Sequence, residues 1–207
     1  MGAEPHTNTG RAAKTRLRLV EAVRSTIEDE GAVSAGEVAR RAGTSSATFY
    51  NYFESHEVAV AGAFDAAMVD LVAFVEHELD VAELLDAELT PFLEGWTWRA
   101  FGFFRENSVV FDLARSLHLR SPEIRTIYRE REAEALAHYT RFVRLGQRAS
   151  VIRDGDTDAM AEAMMLTSQG WNHPRVLSCE RNGALHCEIV HAMAAHLAPP
   201  SKQGDPA

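Results

Sequence analysis

Apolar residues recur at three- and four-residue intervals along nearly the whole chain, and no segment alternates as a half-buried strand does. The pattern predicts an all-α protein of about nine helices. Leu17, Val20, Val23 and Ile27 make one stripe, which Gly31 ends in the manner of a left-handed C-terminal glycine. Ser34, with Glu37 three residues later, reads as a capping box opening a short second helix through Val38 and Ala39, and Gly43 stops it. Ser45 or Ser46 caps a third helix ending near Phe53, and Ser55 caps a long fourth. From His56 to about Asp80 two apolar stripes run side by side. One holds Val58, Gly62, Val69 and Val72; the other holds Val60, Phe64, Ala67, Leu71 and Phe74. A helix apolar on two sides is packed on two sides, so this one is expected to join two cores. Further helices read as 91–106, 108–119, 121–146, 156–171 and 183–197, with Pro91 and Pro122 placed early, where a missing N–H costs little. Small, polar residues 1–12, and 199–207 with their three prolines, are expected to be disordered tails.

Composition narrows the class. At 207 residues the chain can bury one or two cores without staples. Two cysteines build no disulfide framework, and the sequence shows no unbroken apolar run of the roughly 18–20 residues that span a membrane. The segment 1–10 lacks the apolar stretch of a secretory signal, so a reducing cytoplasm is the expected location, with no membrane partner. The formal net charge of −9 argues against indiscriminate nucleic-acid binding. Its distribution changes that picture. Residues 1–60 hold seven basic and eight acidic side chains, whereas residues 61–207 hold 14 basic and 22 acidic ones. Arg11, Lys14, Arg16 and Arg18 face only Glu4 over the first 18 residues. A modest basic surface at one end of an acidic molecule, sensitive to salt, is the expectation.

Three helices within residues 14–53, the second and third short and joined by a Gly-containing turn, fit a helix-turn-helix. Val38, Ala39, Ala42, Phe49 and Phe53 supply the apolar lock, which leaves Ser45, Ser46, Ala47, Thr48, Asn51 and Tyr52 on the outward side. Small hydroxyls and an amide there can approach base edges and phosphates without steric conflict. The run Thr15-Arg16, Gly31, Val38-Ala39-Arg40-Arg41-Ala42-Gly43-Thr44-Ser45, Phe49-Tyr50-Asn51-Tyr52-Phe53 and Ser55-His56-Glu57 resembles the N-terminal signature of the tetracycline-repressor (TetR) family. The resemblance covers about 45 residues, from Lys14 to Val60; beyond them only the helix pattern and a stretch after Arg153-Asp154-Gly155-Asp156 are similar.

What the resemblance implies is a one-component regulator that binds a palindromic operator as a homodimer and releases it when a small molecule occupies an all-helical body. It places a DNA-binding domain at 13–55 and an effector-binding and dimerisation domain at 56–198. Ser46, Ala47, Thr48 and Tyr52 fall on its base- or backbone-contacting positions, and Tyr50 on its phosphate-contacting tyrosine. Ser34 and Ala35 lie where the N-terminus of the second helix meets the DNA backbone. Three departures stand out. His56 replaces a common lysine, Gly36 replaces a long polar side chain, and the loop from Gly31 to Ser34 is about two residues short; Lys14, Arg16 and Arg18 are placed to compensate.

Aromatic residues crowd between 96 and 111, and most are expected in the core. If the implied cavity exists, Phe92, Trp96, Phe103, Phe104, Phe111, His118, Tyr128 and Trp171 are its candidate walls and Arg115 and Asn172 its polar anchors, favouring an apolar or flat effector. For the dimer, Met160, Ala163, Met164, Thr167 and Gly170 share one helical stripe and Ile189, Val190, Met193 and Leu197 another; the competing reading turns these stripes into their own chain's core. No cofactor is expected. Cys179, His173, His186, Cys187 and His191 match no zinc spacing, and a thiol redox pair stays open. Asp154, Asp156 and Asp158 lack the glycine and glutamate of a calcium loop and suit a helix cap instead. Neither a nucleophile elbow nor a phosphate-binding glycine loop occurs, so no enzyme is expected. The alternative to a regulator is a helical small-molecule-binding or sequestering protein with a vestigial DNA-binding segment.

Overall fold

The computed structural model describes residues 6–200, with side chains from Gly10 onward. The described residues form eleven α-helices and no strand: α1 (His6–Glu30), α2 (Ala35–Arg41), α3 (Ser46–Tyr52), α4 (His56–Glu78), α5 (Val81–Ala87), α6 (Leu89–Glu106), α7 (Ser108–Leu117), α8 (Pro122–Arg148), α9 (Thr157–Gln169), a single 3-10 turn at Gly170–Asn172, α10 (Pro174–Leu177) and α11 (Ala184–Leu197). The all-α class is as expected, with more helices than the nine counted from the sequence. The additions, α5 and α10, have seven and four residues, too short for a 3.6-residue period to show. At the N-terminus α1 starts at His6, so residues 6–12 are helix rather than tail. The rest of the two expected tails, 1–5 and 201–207, lies outside the described residues.

The chain divides into two compact units, one running to Asp70 and including Asn107–Glu130, the other comprising Leu71–Glu106 and the chain from Arg131 onward. The helix-turn-helix segment belongs to the first. Leu19, Val20, Val23 and Ile27 of α1, Val38 and Ala39 of α2, Phe49 of α3 and Phe53 after it are all buried there. Leu17, expected in that stripe, is 68% exposed; Leu19 takes its place. The same unit takes in α4 to Asp70, α7 and the first turns of α8. The Phe64 ring meets Phe111 edge-on at 5.9 Å and Tyr128 at 5.0 Å, and Arg24 of α1 pairs with Asp70 at 2.7 Å and donates to the Asn107 Oδ1 at 3.0 Å.

Along α4 the expected stripe is buried at Val60, Phe64 and Ala67 and half-buried at Leu71 and Phe74, but the other is not buried: Val69 is 44% exposed and Val58, Gly62 and Val72 half-exposed. Ala59, Ala61 and Ala63 are buried too, on more than one side of the helix. By length and composition α4 would also qualify to cross a membrane, with a mean hydropathy of 2.0, which a search for unbroken apolar runs misses because Asp65 and Asp70 interrupt it. Its burial from Ala59 to Met68 is that of a core helix.

In the second unit α6 lies centrally and packs on α5, α10, α11 and the 3-10 turn. Phe92, Leu93, Trp96 and Phe101 of α6 are buried, as are Phe142 and Val143 of α8, Met160 and Met164 of α9, and Val190, Met193 and Leu197 of α11. Asp156 caps α9, its Oδ1 accepting from the Asp158 and Ala159 N–H groups at 3.0 Å.

Candidate nucleic-acid interface and effector site

The helix-turn-helix is assembled by local chemistry. Gly31, at φ +70°, sits in the left-handed region and donates its N–H to the Ile27 carbonyl at 2.8 Å, closing α1. The Ser34 Oγ accepts from the Glu37 N–H at 3.4 Å to open α2. The other half of the expected capping box is redirected, because the Glu37 carboxylate accepts from the Arg40 and Arg41 guanidiniums. Arg41 also donates to the Ser25 Oγ at 2.6 Å and to Asp29 at 2.5 Å, fastening α2 to α1. Hydrogen bonds from Arg40, then from Arg41, hold the Glu37 carboxyl down at about 2. Arg41 is therefore a structural clasp, its charge already met by the carboxylates of Asp29, Glu37 and, at 3.9 Å, Glu30. Sequence reading missed this because the partners lie 12 and 16 residues away.

Gly43, at φ +62°, makes the turn, and the Ser45 Oγ accepts from the Thr48 N–H at 3.2 Å to start α3. Phe49 is wholly buried and anchors α3 against Phe53 at 5.3 Å. With that side inward, Ser45, Ser46, Ala47, Tyr50 and Asn51 are exposed and Thr48 and Tyr52 half-exposed. The seven form one small, polar face with an edge of phenol. Tyr50 is 53% exposed, and its ring stacks with that of His56 at 6.5 Å. His56 opens α4, whose first turn is capped by the Ser55 Oγ accepting from the Val58 N–H at 3.2 Å. The Tyr52 hydroxyl donates to the Ala12 carbonyl at 3.4 Å, which ties α3 to α1 near exposed Lys14 and Arg16. Ser34 is half-exposed, but the Ala35 methyl is buried, so what position 35 can offer a phosphate is its backbone N–H. A shallow concavity of about 680 Å³ is bounded by Arg18, Arg40 and Arg41.

The candidate effector residues fall in both units. Phe111, Arg115, His118 and Tyr128 belong to the first, where Phe111 and Tyr128 hold Phe64 and His118 meets Tyr128 edge-on at 5.4 Å. Arg115 is exposed and pairs with Asp112 at 3.2 Å. Phe92, Trp96, Phe103, Phe104, Trp171 and Asn172 belong to the second. Phe103 lies against Phe74 at 5.2 Å and Phe104 at 5.9 Å. Trp96 meets Trp171 at 5.0 Å and Tyr139 at 6.3 Å, and Phe101 meets Trp171 at 5.3 Å. Behind this aromatic layer the His186 Nδ1 accepts from the Asn182 N–H at 3.1 Å, so its Nε2–H donates to the Thr97 hydroxyl at 2.9 Å. Burial pulls the His186 imidazole below its ordinary value. An open groove of about 460 Å³ lies elsewhere in the same unit, lined by Glu76, His77, Asp80, His138, Arg141 and Phe142. None of its lining residues stood out in the sequence, because they come from three helices; Phe92, which did, stacks on Phe142 at 5.4 Å.

The expected dimer stripes need correction. Met160, Met164, Val190, Met193 and Leu197 are at most 3% exposed within their own chain, so they have no surface to give a partner. The reading that turned those stripes inward holds for them. Ala163, Thr167, Gly170 and Ile189 remain accessible, and Leu166 (55% exposed) and Leu185 (41%) join them. Cys179 and Cys187 are free and half-buried, and burial pushes the Cys179 thiol up, away from an activated thiolate.

No family model matches the sequence, and neither does any curated protein. Solved structures do. A Mesorhizobium loti protein described as a TetR-family transcriptional regulator superposes with a TM-score of 0.67 at 17% identity, over 91% of this chain and 98% of its own. The chain has the TetR-regulator fold. The flavonoid-responsive regulator FrrA matches at 0.60 and 21% identity over 91% of this chain and all of its own. RolR, solved with resorcinol bound, matches at 0.62 and 15% identity over 97% of this chain and 99% of its own. The TetR-like signature read from residues 14–60 thus accompanies a TetR fold spanning nearly the whole chain.

Proposed function

We propose that this protein is a DNA-binding transcriptional regulator, a repressor that leaves a palindromic operator when a small apolar or aromatic effector binds its helical body. The observation carrying the reading is the outward face of α3. Ser46, Ala47, Thr48, Tyr50 and Asn51 stand clear of the core on a helix that Phe49 anchors and the Ser45 cap starts. A short helix with small polar residues outward suits the major groove, and the N-terminus of α4 beside Tyr50 offers backbone N–H groups to phosphate. Two proteins of this fold support an aromatic effector: one is described as flavonoid-responsive and another was solved with resorcinol. The regulator works as a homodimer in the cytoplasm, and effector binding acts through α4, which runs without a break from the first unit into the second. A shift of α4 changes the spacing of two recognition helices, and half-sites one helical turn apart tolerate little change.

The test is a gel shift on DNA from upstream of the gene, at several salt concentrations. We expect binding that weakens steeply with salt. Tyr50→Phe removes one hydrogen bond to phosphate and is expected to cost about 1–2 kcal/mol, roughly five- to thirty-fold in affinity, for every operator sequence alike. Thr48→Ala should cost a similar amount but relax preference at one base position. Absence of a shift at low salt, or unchanged binding by both variants, returns the protein to the class of ligand-sequestering helical proteins. Arg41, already paired with Asp29 and Glu37, is the observation favouring that second reading, since it withdraws a cation from α2.

A further inference from the structure

The open groove of about 460 Å³ in the second unit has walls of unlike charge. Glu76, His77 and Asp80 line it from the last turn of α4 and the residues just after, and His138, Arg141 and Phe142 line it from α8. Within each set the spacings of three and four residues put the side chains on one side of the helix. The first wall carries two carboxylates and lies at the C-terminus of α4, where the helix dipole is negative. The second carries the Arg141 guanidinium, on a stretch from 135 to 153 that has no acidic residue in the sequence. Leu79, Val81 and Leu145 add apolar lining, and the Phe142 ring is fixed by stacking on Phe92 at 5.4 Å. One groove therefore offers an anionic wall, a cationic wall and apolar surface.

We infer that this groove is a binding site for a zwitterion on an apolar frame, of which a free amino acid with a large apolar side chain is the simplest. A ligand with a carboxylate alone meets Arg141 but is repelled by Glu76 and Asp80, and one with an amine alone meets the carboxylates but is repelled by Arg141. A ligand with both presents each wall with its counter-charge. Its carboxylate goes to Arg141, whose guanidinium has the planar fork that matches a carboxylate. The Asp80 Oδ1 accepts from the Ala82 N–H at 2.8 Å as the cap of α5, so the ammonium is assigned to Glu76. The apolar side chain covers Phe142, Leu79 and Leu145. The groove's volume falls within the roughly 300–1,000 Å³ of small-molecule sites. None of the residues considered for the effector lines it, and the site does not depend on DNA binding.

The experiment is calorimetric titration of the full chain at low salt with L-phenylalanine. Three controls each remove one feature: 3-phenylpropionate lacks the ammonium, phenethylamine lacks the carboxylate, and L-alanine lacks the large side chain. Phenylalanine is expected to bind saturably, one per chain, and about five-fold or more tightly than any of the three, the worth of one solvent-facing ion pair or of a covered ring. Arg141→Gln should weaken phenylalanine binding by about five-fold and leave phenethylamine binding equal or stronger, whereas Glu76→Gln should weaken phenylalanine by a similar factor and leave 3-phenylpropionate equal or stronger. Both side chains are exposed, so each variant is expected to keep the parent's helical circular dichroism spectrum, and either one alone tests its own wall. No saturable binding of phenylalanine, equal binding of any control, or undiminished binding by either variant overturns the inference. The titration contains no DNA, so its failure leaves the operator-binding reading standing.

Discussion

His186 shows how much a single residue's surroundings decide. From the sequence it belonged to a loose set of cysteines and histidines that invited a metal. In the fold it is buried, with Asn182 donating to its Nδ1 and its Nε2–H donating to Thr97. Burial disfavours the cation, and this outweighs the opposing charge of Glu94, so the folded form titrates below the ordinary value of about 6.5. Below that value the unfolded chain binds a proton that the native chain refuses, so the contribution is intact above about pH 6.5 and lost as pH falls toward the lowered folded value. His186→Gln should lower stability at pH 8 by about 1–3 kcal/mol, the cost of a disturbed buried hydrogen-bond pair. It should also reduce the further loss between pH 8 and pH 5, as read from urea midpoints. An unchanged acid-side loss would assign the pH dependence to other groups. Tyr50 is the opposite case. Being half out in solvent, it should affect operator affinity without affecting stability.

At the scale of elements, closeness of approach matters more than propensity. Gly146 lies near the end of α8, and a Cβ there would stand 2.5 Å from the Ile152 Cδ1 and 3.2 Å from its Cβ. Ile152 is 1% exposed, and its N–H donates to the Gly146 carbonyl at 3.1 Å, so the chain folds straight back over the helix end. Gly146→Ala would gain up to about 1 kcal/mol of helix propensity and lose about 1–3 kcal/mol by overlap. Because the clash reaches the branched carbon beside the backbone, the loss should win by on the order of 1 kcal/mol. Ile152→Val, which deletes the nearest carbon, should recover part of the deficit in the double variant, measured by urea denaturation. Additive effects of the two changes would show that the side chain moves aside freely.

For the molecule as a whole, α9 and α11 keep their methionines and valine for their own core and present a different outward set: Ala163, Leu166 and Thr167 on one helix with Gly170 just after it, Leu185 and Ile189 on the other. This small, apolar surface is where we place the homodimer contact. Leu166→Glu puts a charge at its centre while leaving the chain's core untouched. In light scattering the parent is expected to run as a dimer and the variant as a monomer, with an unchanged helical circular dichroism spectrum. Because operator binding needs two half-sites held together, it should fail the gel shift as well. A dimeric Leu166→Glu protein would move the interface elsewhere.

Local pattern in the sequence was enough for the helices long enough to show a period, the caps at Ser34 and Ser55, the stops at Gly31 and Gly43, and the outward face of α3. These are local matters, decided within a turn or two by backbone hydrogen bonding and left-handed glycines. Between Ser45 and Ser46, and among Asp154, Asp156 and Asp158, the fold chose Ser45 and Asp156. The apolar stripes were ambiguous in what they face, since an apolar row serves a chain's own core and a partner's surface equally well, and the Val58, Gly62, Val69 and Val72 stripe is not buried. Only the tertiary structure decided that Met160, Met164 and Met193 look inward and that Leu17 looks out. The same holds for Arg41, which joins Asp29 and Ser25 of another helix. Asn172 was legible as a polar residue among aromatics. That its side chain is buried depends on how the 3-10 turn packs against α6, which the pattern along the chain does not show.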